Sequence, residues 1–146
     1  MSGHRHGGEA TGDARHHARE RALALLYEAE VKHVAPTAVL AGLAATPDAL
    51  TVELVEGVAA DVGHIDELLG RAAVDWEVGR MPVVDRTILR LATYELLERS
   101  ETPMAVVIDE AVELAKEYST EQSGSFVNGV LVTIARQVRP GATPTG

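Results

Sequence analysis

The chain has 146 residues, 46% of them hydrophobic but only 3% aromatic, and a formal net charge of -9. That length fits one domain or two small subdomains on a shared, largely aliphatic core. The acidic balance argues against a general nucleic-acid coat, which needs clustered Lys and Arg, and the absence of cysteine excludes disulfides, thiolate metal sites and a cysteine nucleophile. No run approaches the roughly 18 uninterrupted apolar residues of a membrane span, and the N-terminus has no apolar signal core, so a soluble, cytoplasmic protein without a membrane partner is expected.

Residues 1–13 (MSGHRHGGEATGD) are polar, glycine-rich and aperiodic, which predicts a disordered arm. His4, His6, His16 and His17 lie near this end, but with no cysteine and no fixed second shell they form a weak metal pattern. No metal or other cofactor is expected. From Ala14 to about Val34 the residues Ala18, Ala22, Leu25, Leu26 and Ala29 mark the apolar seam of a helix. Arg15, Arg19 and Arg21 against Glu20 give this helix a local charge of +2. Arginine's planar fork suits phosphate and base edges. Arg15 and Arg19, four apart, repel each other slightly, and cations in a first turn oppose the helix dipole. A bound polyanion would relieve both penalties.

A short helix is predicted from Pro36 to about Leu43, then a longer one from Asp48 to about Ala73 with a kink near Gly63 and His64. His64 reads as a structural residue beside the seam, and Trp76, the only tryptophan, as a plug between the two halves. Pro82 opens a helix to about Arg99, with Asp85 in its first turn, where the dipole favours an anion. Glu95 falls on the apolar seam of that helix, so it needs a cationic partner, such as a nearby arginine. After the turn at Ser100–Pro103, Met104, Val107, Ile108, Ala111, Leu114 and Ala115 form one apolar stripe and Val127, Val130, Leu131 and Ile134 another. Between them lies a polar loop, Ser119 to Ser125, with Phe126, the only phenylalanine, at its mouth. Periodicity alone makes Phe126 a core anchor. Gly129, inside the last helix, suggests a close helix contact. Residues 140–146 are expected to be a disordered tail.

No strand alternation or internal repeat appears, so the expected fold is all-α, with about seven helices, residues 14–80 forming an N-terminal subdomain and residues 81–139 a C-terminal one. No phosphate-cradling Gly loop, metalloprotease histidine pair or GxSxG elbow is present, and the chain reads as a binding protein, not an enzyme.

Four segments carry a resemblance: Arg15 to Tyr27 (RHHARERALALLY), Met81 to Leu97 (MPVVDRTILRLATYELL), Val107 to Lys116 (VIDEAVELAK) and Ser123 to Leu131 (SGSFVNGVL). In this order and spacing they resemble the bacterial transcription antitermination factor NusB family. The resemblance implies a compact NusB-like bundle in two subdomains that pairs with the ribosomal protein NusE. It also implies binding of single-stranded boxA-like RNA in nascent ribosomal RNA transcripts, within an RNA polymerase antitermination complex. The family's arginine-rich first helix falls on Arg15 and Arg19, with His16 and Arg21 nearby as further RNA candidates. Its phenylalanine before Val-Asn-Gly falls on Phe126, and the preceding polar loop supplies Gln122 and Ser123. The resemblance makes the Phe126 ring at least partly exposed, where a stacked base is worth roughly 1–3 kcal/mol. Asp85 matches a family contact to the ribosomal protein.

Two positions depart from the family pattern: Asp109 replaces a usual asparagine and Gln122 a frequent aspartate. Other readings are a helical adaptor or homodimer without an RNA role, and an RNA-binding accessory to an enzyme that modifies ribosomal RNA, whose catalytic domain would have to lie beyond Gly146.

Overall fold

The computed structural model describes residues 7–142, with side chains from residue 12 onward. Six α-helices follow in order: α1 (Gly7–Lys32), α2 (Pro36–Ala41), α3 (Ala49–Ala72), α4 (Val83–Glu98), α5 (Met104–Tyr118) and α6 (Glu121–Val138). A single 3-10 turn, Val78–Arg80, lies between α3 and α4. This is the expected all-α bundle. None of these helices is long and apolar enough to cross a membrane.

The apolar periodicities become the core almost residue for residue. Ala18, Ala22, Leu25, Leu26 and Ala29 of α1 are buried, as are Leu54, Val55, Val58, Ile65, Leu68 and Leu69 of α3. Ile88, Leu91, Ala92 and Leu96 of α4 join them, together with the whole predicted stripe of α5 and Val127, Val130, Leu131 and Ile134 of α6. On the same face of α3, Val62 is 36% exposed and Leu50 is only partly buried against the core. The α4 helix is central, packed on α1, α3, α5 and α6, which explains why polar residues such as Thr87, Thr93 and Glu95 are buried on it.

The ends of the elements have local causes. His33, in the left-handed region at φ 57°, closes α1: its N–H donates to Glu30 O and that of Val34 to Ala29 O. The Thr120 side chain accepts the Ser123 N–H and starts α6. Arg139 donates to the carbonyls of Glu95, Leu96, Arg99 and Thr102, supplying partners for the α4 C-terminus and tying the end of α6 to the α4–α5 turn.

Several expectations change. Helix α1 begins at Gly7, so residues 7–13 are helical, not an arm, because Glu9, Ala10 and Ala14 are good helix formers ahead of the seam; residues 1–6, with His4 and His6, and residues 143–146 lie outside the described region. The α3 break comes at Asp61 (φ -121°, ψ 20°), two residues before Gly63. His64 is exposed and lies 3.3 Å from Asp61 instead of packing on the seam. The polar loop shrinks to Ser119 and Thr120, because the Thr120 cap lets α6 start at Glu121 and takes Gln122, Ser123 and Ser125 into its first turns. Gly129 is exposed, and a Cβ there would have nothing within 4 Å. Close approach occurs at Gly57 instead, where an added Cβ would lie 2.2 Å from the Tyr94 ring.

Candidate nucleic-acid interface

The candidate residues occupy very different environments. Arg15 and Arg21 are exposed on α1, and their six-residue separation sets them roughly 120° apart around the helix. Arg19 points inward and is 5% exposed. Its Nε donates to Glu95 Oε2 at 2.8 Å and its Nη2 to Glu95 Oε1 at 2.9 Å, a bidentate pair joining α1 to α4. Burial opposes the Arg19 charge, but the hydrogen bonds and charge of Glu95, with that of Glu110, raise its pKa further. Glu95 thus has the arginine partner its position demanded. On this geometry Arg19 faces Glu95 and not the surface, and contact with RNA would strip a buried carboxylate of its guanidinium partner.

Around this pair runs a polar strip across α1 and α5. Glu110 lies 3.7 Å from Arg19 Nη1 and bonds His16 Nδ1 at 2.9 Å. His16 Nε2 is 3.6 Å from Glu20, and Glu20 accepts a 2.6 Å hydrogen bond from the Tyr118 hydroxyl. That bond, with a smaller effect of burial and nearby negative charge, pushes the Tyr118 pKa up to about 12, so the phenol remains a donor. The Glu110 hydrogen bond, opposed by burial and supported by the charges of Glu110, Glu20 and Glu117, raises the His16 pKa above its ordinary 6.5. The native chain therefore holds this proton more tightly than the unfolded chain. The stabilisation from His16 is complete below about pH 6.5 and fades as pH rises through the raised native value. The melting-temperature advantage of wild type over His16→Gln should accordingly shrink as pH rises above about 6.5; an advantage constant with pH would contradict the assignment.

Where α4 and α6 begin, Ser123 is 8% exposed and donates to Asp85 Oδ2 at 2.8 Å. The Ser119 and Thr120 hydroxyls each lie 3.0 Å from Ser123 Oγ, so the α5–α6 turn is tied to α4 through one buried carboxylate. Asp85 is 3% exposed, and its Oδ1 has no side-chain or backbone partner among the described residues. Neither Ser123 nor Asp85 offers a surface to a ligand; their contacts hold the turn that places Gln122, which is exposed. Just before the turn, Tyr118 at the end of α5 reaches α1: Glu20, Leu23, Ala24 and Tyr27 line, with Val84 and Tyr118, a shallow groove of about 240 Å³.

Phe126 is half-buried, packed on the core from one side. On the other it meets Trp76, ring centroids 5.9 Å apart and planes inclined by 58°. Trp76 is 48% exposed and so plugs nothing. The sequence reading missed this neighbour because the two rings are fifty positions apart in the chain. It also passed over Arg71 and Arg80, which are exposed at either end of the connector that carries Trp76.

Residues 16–136 match the family model described as NusB family. The chain belongs to the NusB family. Among NusB relatives, a transcription antitermination protein of Streptomyces griseus is 53% identical over 127 residues, covering 81% of this chain and 89% of that one. The protein of the same name from Acidothermus cellulolyticus is 48% identical over 136 residues, covering 90% and 94%. Among solved structures, T. maritima NusB superposes with a TM-score of 0.79 at 36% identity, covering 86% of this chain and 93% of that one. The NusB fold also matches, with a TM-score of 0.73 at 26% identity, a chain from a crystal structure of antitermination factors NusB and NusE in complex with double-stranded RNA, over 86% and 98% of the two chains.

Proposed function

We propose that this NusB-family chain is a cytoplasmic, non-enzymatic transcription antitermination factor that pairs with the ribosomal protein NusE and binds boxA-type RNA. The observation that carries the reading is the family match over most of the chain, together with the neighbour whose NusB chain is accompanied by NusE and RNA. Direct RNA contacts are assigned to the exposed Arg15, Arg21 and Gln122, to the partly exposed His16 and to Phe126. Arg19, Ser123 and Asp85 act through position: the first fixes α1 on α4, the other two fix the α5–α6 turn. Asp85 influences the NusE surface through that turn instead of by touch.

The electrostatics suit a shared site. His16 stands among Glu20, Glu110 and Glu117, so the strip beside the arginines is largely acidic. RNA alone gains little there, whereas a basic ribosomal protein is steered toward it and completes the cationic surface. With Arg19 internal, two surface arginines give a salt slope of only about -1.4 for single-stranded RNA. Titration of a labelled boxA oligoribonucleotide at several salt concentrations should show that slope fall by about 0.7 for each of Arg15→Ala and Arg21→Ala. Slopes unchanged in both variants would remove α1 from the interface and favour an adaptor without an RNA role.

A further inference from the structure

We propose that Trp76, with Phe126 behind it, forms a stacking platform for a nucleobase, extending the RNA site onto the α3–α4 connector. The inference rests on the RNA-binding reading above but assigns a residue that reading does not need. The chain's one tryptophan is 48% exposed, and Val74, two residues earlier, is 86% exposed. An indole with half its surface in water is a poor use of the largest apolar side chain unless something covers it.

The connector is held in place, as a binding surface must be. At its start Ala73 is buried, and its N–H donates to Leu69 O; the Trp76 N–H donates to Ala73 O. At its end Met81 is buried, and Arg86 Nη1 faces the carbonyls of Val78, Gly79 and Met81 at 3.3–3.5 Å. Arg86 is itself anchored by Glu30 of α1. The indole therefore stands on a braced loop, in contact with Phe126 and with about half its surface accessible. Arg71 and Arg80 supply exposed guanidinium groups at the two ends of the same segment, Arg80 lying 3.5 Å from an exposed Glu77. Exposed aromatics with arginines alongside are the combination that binds single-stranded nucleic acid through base faces and phosphates.

The single tryptophan makes the test direct. The full chain, with NusE present, is titrated with a boxA oligoribonucleotide while anisotropy of the labelled RNA and intrinsic tryptophan emission are followed together. Quenching with the same midpoint as RNA binding is expected. Trp76→Ala and Trp76→Leu should each weaken binding about tenfold, while Trp76→Phe, which keeps a π-face, should retain most of it. Circular dichroism establishes that each variant is folded. RNA binding by wild type with unchanged emission, or equal affinity for the Leu and Phe variants, overturns the platform while leaving the RNA-binding reading intact. Emission that changes on adding NusE alone, and no further with RNA, overturns it in favour of a protein contact. No RNA binding by wild type overturns both.

Discussion

Replacing Arg19 with Ala should lower stability by about 3–5 kcal/mol, which for a domain of this size moves the melting temperature down by roughly 10–16 °C. The reason is the charge left behind, not the bonds removed. Glu95 is 2% exposed in the last turn of α4, and without the guanidinium it becomes a buried carboxylate with no cation among the described residues within hydrogen-bond reach. Glu95→Ala should be comparably harmful, for the mirror-image reason. The double variant Arg19→Met with Glu95→Leu should recover most of the loss, since well-packed apolar residues can replace a buried ion pair at little or no cost. Urea denaturation of the four proteins tests this; a loss below about 1 kcal/mol in either single variant would contradict it. The same proteins separate two roles for the arginine. Assayed well below its lowered midpoint, the Arg19→Ala variant should bind RNA with near-wild-type affinity, because the side chain positions α1 without touching the ligand.

The second large effect is a pair of opposite sign. Gly57→Ala should destabilise by about 1–2 kcal/mol net: the new methyl would fall 2.2 Å from Tyr94 Cε1, and overpacking of this kind costs about 1–3 kcal/mol, less up to about 1 from better helix propensity. The Tyr94 ring cannot move freely, because its hydroxyl donates to Glu53, which also accepts a 2.6 Å bond from Arg99. Gly129→Ala meets open space and should stabilise by up to about 1 kcal/mol. Thermal melts of the two variants that moved in the same direction would contradict the packing described here.

These glycines show what was legible in the chain. Both interrupt a helical pattern, and the sequence marks each as costly, but only the crossing partner decides which one is needed. The helices themselves were readable because their apolar residues repeat at the helical period over long stretches, and the core follows that pattern with Val62 as an edge case. The site was half legible. Glu95 on an apolar seam announced a cationic partner, and Arg19, 76 positions away, supplies it. The same contact withdraws Arg19 from the surface, which helical periodicity hinted at, since it lies one position from Ala18 and three from Ala22 on the buried seam. Asp85 was readable as an anion in the first turn of a helix and Ser123 as a polar loop residue, but not as partners, because their bond depends on how α6 seats against α4. Trp76 beside Phe126 could not be read at all: no local pattern couples a loop indole to a ring three helices later.

The central claim, that this chain and NusE build one RNA site, is tested most directly by anisotropy titration of a labelled single-stranded boxA oligoribonucleotide with the purified chain, with and without saturating NusE, and with duplex RNA of the same sequence as comparator. Markedly tighter binding of the single strand when NusE is present is the predicted result; equal affinities with and without NusE would contradict the account.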